Sequence, residues 1–207
     1  MDSVYTFNDL MNINKFISSL QKQAKKSKIE LNITDEKFLV LSDNIHVSGY
    51  FLERIKNKPG ILEVASGKCI GDWLPILVHE SCHMDQWDEK TDLVKMFDSV
   101  DSIILDNWIE GKDYSEKTIN KVVNAYIEIE LDCEKRSVLK IKKYKLPINI
   151  DNYIQKANSY IFFYTYLKSS RKWEFNPNAY KKAAKTWYDD YSVIPKDILQ
   201  AFKKYKA

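Results

Sequence analysis

From Phe7 to about Lys26 apolar residues recur at helical spacing, with Leu10, Ile13, Phe16, Ile17 and Leu20 on one face, which predicts an amphipathic first helix that packs a core. Between Lys28 and Gly67 the pattern changes to short β-type runs, Ile29–Ile33, Lys37–Ser42, Ile45–Leu52 and Ile61–Ala65. Thr34-Asp35, Asp43-Asn44 and Lys58-Pro59-Gly60 separate them, so three or four strands of a small sheet are predicted. From Asp72 onward the pattern is helical nearly to the end, with breaks near Gly111, Pro147, Asn176-Pro177 and Pro195. The fold class this describes is α+β: a helix and a small sheet, then a mainly helical part.

At 207 residues the chain suits one domain over 1–207, with 147–207 as a helical C-terminal section of it. Hydrophobic residues make up 44% of it, enough to bury a core and to set it apart from disordered chains. The N-terminus mixes Asp2, Asn8, Asp9, Asn12, Asn14 and Lys15 among its apolar residues, which is not the pattern of a secretory signal. No stretch reaches the roughly 20 apolar residues of a membrane span, so no membrane partner is expected. Cys69, Cys82 and Cys133 are too few and too scattered for a disulfide framework or a cysteine-ligated metal site, and the reducing cytoplasm is the expected location.

Charge is uneven along the chain. Residues 1–134 hold 15 Lys/Arg against 24 Asp/Glu, whereas 135–207 hold 17 against 5. A basic C-terminal third can meet nucleic acid or an acidic protein, but it can also lie against the acidic part of its own fold, and that last reading is preferred.

The segment from Leu74 to Trp87 contains His79-Glu80-x-x-His83. Pro75, just ahead of it, suits a first helical turn. Histidines four apart lie about 40° from one another around a helix, so both imidazoles reach one metal ion from one face, with Glu80 beside them as a general base. A catalytic zinc takes three protein ligands and an open position, so a third ligand is required. It is either His46, in the Ile45–Leu52 run, or a carboxylate.

The helix predicted from about Ser115 to Lys143 favours a carboxylate. With Glu130 as zero, Ile119, Val123, Tyr126, Ser137 and Ile141 fall within about 40°, and Val122, Ile127, Cys133 and Val138 within about 80°. Glu130 therefore sits in the apolar stripe, Glu134 one turn on, while Glu128 and Asp132 point to water. A buried carboxylate needs a cation to offset its desolvation. Glu130 is assigned to the metal, and Glu134 to the free ring N–H of a ligating histidine.

His79-Glu80-x-x-His83 followed by Glu130-Leu-Asp-Cys-Glu134 resembles the gluzincin metallopeptidases, whose second motif is a Glu, three residues, then an Asp. Here Cys133 stands where Ala is common, and Glu134 replaces the Asp. The runs from Val47 to Phe51, Trp73 to His83 and Glu130 to Arg136 look similar to metallopeptidase-like proteins encoded by bacteriophages. The resemblance implies a zincin-like fold, Zn2+ as cofactor, a peptide or protein substrate, and Glu80 taking a proton from water and giving it to the departing amine. His46, Tyr50 and Tyr126 are the candidates to stabilise the oxyanion, and Val47–Phe51 or Ile61–Ala65 could add the substrate as a strand.

Two rival readings stand beside this one. The first is a non-catalytic, metal-stabilised protein that contacts nucleic acid or a protein partner through its basic C-terminal part; Glu80 argues against it, because a structural metal has no use for a base. The second is a metal-free interaction domain. Cys82 and Cys133 read as core filler. The aromatic run Tyr160–Tyr166 with Lys168, Arg171, Lys172 and Trp173 has the composition of a single-strand nucleic-acid surface, but helix core with a solvated basic end is preferred.

Overall fold

The computed structural model describes residues 4–41, 45–55, 58–101 and 103–204, and over these the chain is mixed α+β, mostly helical with a small sheet. The turn expected at Asp43-Asn44 lies outside the described residues, as does Ser42. Helix α1, Phe7–Ser27, starts on a capping box in which Thr6 and Asp9 exchange side-chain and backbone hydrogen bonds. It ends at Lys28, in the left-handed conformation at φ 58°. Its buried face is Ile13, Phe16, Leu20 and Ala24; of the predicted stripe, Leu10 is exposed and Ile17 half-buried.

Strands β1 (Ile29–Thr34), β4 (Gly49–Leu52) and β5 (Gly60–Ala65) form one sheet in the order β1-β5-β4, with β1 parallel and β4 antiparallel to β5. Strands β2 (Leu39–Val40) and β3 (His46–Val47) pair separately. The run Ile45–Leu52, expected as one strand, is thus divided between two sheets. The division falls at Ser48, whose carbonyl accepts from the Ala65 N–H at 2.9 Å. Just after it, a Cβ on Gly49 would stand 2.7 Å from Ile76 Cγ2 and 3.0 Å from Val64 Cγ2, so only glycine lets the strand pass this close beneath the next helix.

Helix α2, Ile70–Glu89, lies on β4 and β5. It begins five residues before Pro75, which the sequence reading set in the first turn. Helices α3 (Asp92–Asp98) and α4 (Ile103–Ile109) follow, and Gly111 takes φ 108° at the expected break. Helix α5, Glu116–Tyr144, then precedes α6, Ile150–Ser170. No helix among the described residues is long and apolar enough to cross a membrane.

By its contacts the chain divides into two compact units, one up to Lys90 together with Lys135–Ile148, the other Thr91–Glu134 with Asn149 onward. In the first, α1 meets the end of α5 through Phe16 and Tyr144, ring centroids 5.2 Å apart, and through Ser19 Oγ and the Tyr144 hydroxyl at 2.8 Å. In the second, α6 is buried on nearly every side, with no exposed surface on Ile161, Phe162 or Phe163. The aromatic run is core.

The helical pattern expected almost to the end fails from Arg171 to Pro195, where only a 3-10 turn at Ala179–Lys182 precedes α7, Lys196–Lys203. Arg171 caps α6 in the left-handed conformation, and α6 side chains then take over the backbone of the segment. Gln155 donates to the Ala183 carbonyl, buried Asn158 to those of Ala184 and Thr186, and Thr165 to that of Tyr191. With these carbonyls satisfied, the segment needs no helix to hold its hydrogen bonds.

Candidate metal centre

α2 is buried on most of its circumference by Leu74, Leu77, Val78, Ser81, Cys82, Met84 and Gln86. The arc left half-buried runs through Ile76, His79, Glu80, His83 and Trp87. The whole motif therefore lies on a half-buried face of this helix.

On that face the Nε2 atoms of His79 and His83 stand 3.2 Å apart, with the rings at 88°. Two nitrogens bound at about 2.0–2.1 Å to a tetrahedral ion would be about 3.3 Å apart. The Nδ1 of His83 is 2.9 Å from Oε1 of Gln86, a fully buried residue. A carboxamide oxygen only accepts, so Nδ1 carries the proton and the Nε2 lone pair of His83 faces His79. That is the tautomer a metal ligand needs, and the donor pair fits zinc. Trp87 packs edge-on near His83 at 6.4 Å, and Phe51 of β4 backs Trp87 at 5.9 Å. Gln86, Trp87 and Phe51 had no role in the sequence reading. Gln86 was within reach of it, since a residue three beyond His83 lies on the same helical face.

The C-terminal part of α5 is fastened to α2 by a polar clamp. Lys140 Nζ lies 2.8 Å from Asp85 and donates to the backbone carbonyl and hydroxyl of Ser81 at 2.9 and 2.8 Å. Arg136 pairs with Glu89 at 2.8 Å, and Ser137 Oγ meets Cys82 Sγ at 3.5 Å. Gln23 of α1 joins the clamp, donating to Asp85 at 2.6 Å.

One turn before Ser137 on this unbroken helix is Cys133, fully buried. Glu130 is half-buried on the same helix; burial first, and then its charge among others, raises the phenols of Tyr126 and Tyr164. Glu134 is buried and accepts from the Tyr153 hydroxyl of α6. Glu128 is exposed, as its helical position requires, and Asp132 is half-buried.

The three candidate oxyanion donors are dispersed. His46 is exposed on β3, with its ring 6.0 Å from Phe38. Tyr50 is paired across the sheet with Glu63 and donates to its carboxylate at 2.6 Å; burial and that bond push its phenol up to about 12. Because Phe51 faces α2, Tyr50 is on the other side of the sheet. Tyr126 stacks on Tyr164 at 5.6 Å and meets Phe97 edge-on at 4.9 Å. Its phenol is pushed up to about 12 by burial, then by Asp106 and Glu130, and so it stays a donor at neutral pH.

Comparison with protein families, with curated proteins and with solved structures finds no match to this chain.

Proposed function

We propose that this chain is a zinc-dependent peptidase of zincin-like type, gluzincin-like in its two motifs, acting in the cytoplasm on a peptide or protein substrate. The observation that carries the reading is the pair of imidazole nitrogens of His79 and His83, 3.2 Å apart, with His83 held by Gln86 in the tautomer that offers its lone pair. The His79 nitrogen that faces this lone pair meets it through a proton or through a cation, and a metal ion satisfies both nitrogens at once. Glu130 is the third ligand, as the second motif implies. Zinc held there supplies a Lewis acid that acidifies water and polarises a carbonyl.

Glu80 shares the accessible arc of α2 and is the general base: its carboxylate takes the proton of the attacking water and returns it to the departing amine. Trp87, backed by Phe51, lies edge-on beside the His83 ring.

The test is elemental analysis of the purified chain beside cleavage of a peptide library read by mass spectrometry. About one zinc per chain is expected, lost in His79→Ala and retained in Glu80→Gln, which should lose roughly 100- to 10,000-fold in cleavage. No zinc uptake after zinc is supplied, or cleavage that survives Glu80→Gln, would overturn the reading.

A further inference from the structure

We propose that a lysine cluster within the second unit, Lys156 with Lys181, Lys182 and Lys185, binds the phosphate backbone of nucleic acid without reading its sequence. The cluster is independent of the zinc reading. All four side chains are exposed. Lys156 stands on α6, and its Nζ lies 5.7 Å from the centre of the Tyr180 ring. Tyr180 shares the 3-10 turn Ala179–Lys182 with Lys181 and Lys182. Lys185 falls between Ala184 and Thr186, whose carbonyls accept from the buried Asn158 of α6. Gln155, the neighbour of Lys156, donates to the Ala183 carbonyl. α6 thus fixes the backbone that carries the other three lysines, and groups on a fixed frame lose less freedom on binding than groups on a loose loop.

The surroundings of the cluster have one sign. From Asn152 to Ser170 and from Phe175 to Tyr188 the chain has no Asp or Glu. Among the described residues none of the four lysines makes an ion pair. The expectation that the basic C-terminal third is neutralised by the acidic part of its own fold is not met at these positions, and unneutralised cations so close together attract a polyanion. What the cluster lacks selects the kind of polyanion. All four cations are lysine, whereas protein interfaces are poor in lysine and are anchored by arginine and aromatic side chains. No exposed large apolar side chain lies between Asn176 and Tyr188 to anchor a folded partner or to enter a lipid layer. A phosphodiester backbone needs neither, because ammonium groups bind it by releasing its condensed counterions.

The experiment is fluorescence anisotropy of the full chain with a labelled DNA oligonucleotide of mixed sequence, single-stranded and as a duplex, over a salt series. If four phosphates are neutralised, affinity should fall roughly 50- to 150-fold between about 50 and 200 mM salt, with the smaller loss for the single strand. The combined variant Lys156→Gln, Lys181→Gln, Lys182→Gln and Lys185→Gln should lose most of the binding and most of its salt dependence. The matched control replaces Lys15, Lys22, Lys25 and Lys26, exposed on α1, by glutamine. It lowers the net charge equally and should bind as the native chain does. No salt-dependent binding by the native chain overturns the proposal, and that arm needs no variant to fold. Equal losses in the two combined variants overturn it as well, since overall charge would then be the cause. Tighter binding to polyglutamate or to phosphatidylserine vesicles than to the oligonucleotide, at equal anionic charge, would give the cluster to an acidic protein or to a membrane surface instead.

Discussion

Around their buried cores, the two units of this protein differ in the contacts that fasten their helices. In the first, α1, α2 and the end of α5 are joined by directional polar contacts: Gln23 to Asp85, Asp85 to Lys140, Lys140 to Ser81 and Arg136 to Glu89. In the second, α6 is surrounded by rings, Phe162 against Tyr188 at 4.9 Å, Phe163 against Phe175 at 5.4 Å and Tyr166 against Phe202 at 5.1 Å. Apolar packing rewards contact area and tolerates small rotations of a helix. Hydrogen bonds and ion pairs lose most of their value when a helix turns by a fraction of a residue. The helices that carry the candidate metal ligands are fastened by the second kind of contact, which suits a site needing ligand atoms placed to within about half an ångström.

The largest effect that would break this comparison is in the aromatic unit. Phe162→Ala should remove about 3–5 kcal/mol in denaturant unfolding, because the ring has no exposed surface and leaves a cavity. In the polar unit Lys140→Met keeps the stem and removes the charge, leaving Asp85 without its ion-pair partner. With side chains 14% and 17% exposed, the pair sits near the lower end of the buried range, so about 3 kcal/mol is expected. If Lys140→Met unfolds at the same denaturant concentration as the native chain, the clamp is not what holds α5 on α2.

A smaller effect sharpens the link between polar fastening and the site. Gln86→Ala should weaken zinc about 10- to 100-fold, measured against a chelating dye, by releasing the proton and ring of His83. Unchanged affinity would mean that Gln86 only fills space. The smallest effect is spectroscopic. Tyr50, Tyr126 and Tyr191, each pushed up to about 12, should remain protonated about a unit above the ordinary phenol value near 10. Their folded values are raised, so the stability they contribute is complete below about pH 10 and is lost as pH rises through about 12. Ultraviolet titration of native and denatured chain checks this, and coincident curves would contradict it.

Much of the fold was readable from local pattern. The stripe of α1, the change to period-two runs after Lys28 and the breaks at Gly111 and Pro147 are short-range signals, and the elements follow them closely. The buried stripe of α5 was readable too: Ile119, Val122, Val123, Cys133, Ser137, Val138 and Ile141 are all buried. Two things were not. The division of the Ile45–Leu52 run depends on where α2 presses on Gly49, and the irregular course from Arg171 to Pro195 depends on carbonyl partners in α6 more than twelve residues away. Neither leaves a periodic trace.

The candidate site divides in the same way. His79, Glu80 and His83 are set on one arc by helix geometry alone, and with them the paired nitrogens and the reach of Gln86 from the next turn. Helical periodicity also narrows the third ligand to the inward stripe of α5. The rotation of the C-terminal part of α5 against α2 is fixed by Lys140 on Asp85 and Ser81 and by Arg136 on Glu89, contacts that leave no periodic trace. A periodic pattern records which face of a helix is buried; only contacts between distant parts of the chain decide what that face meets.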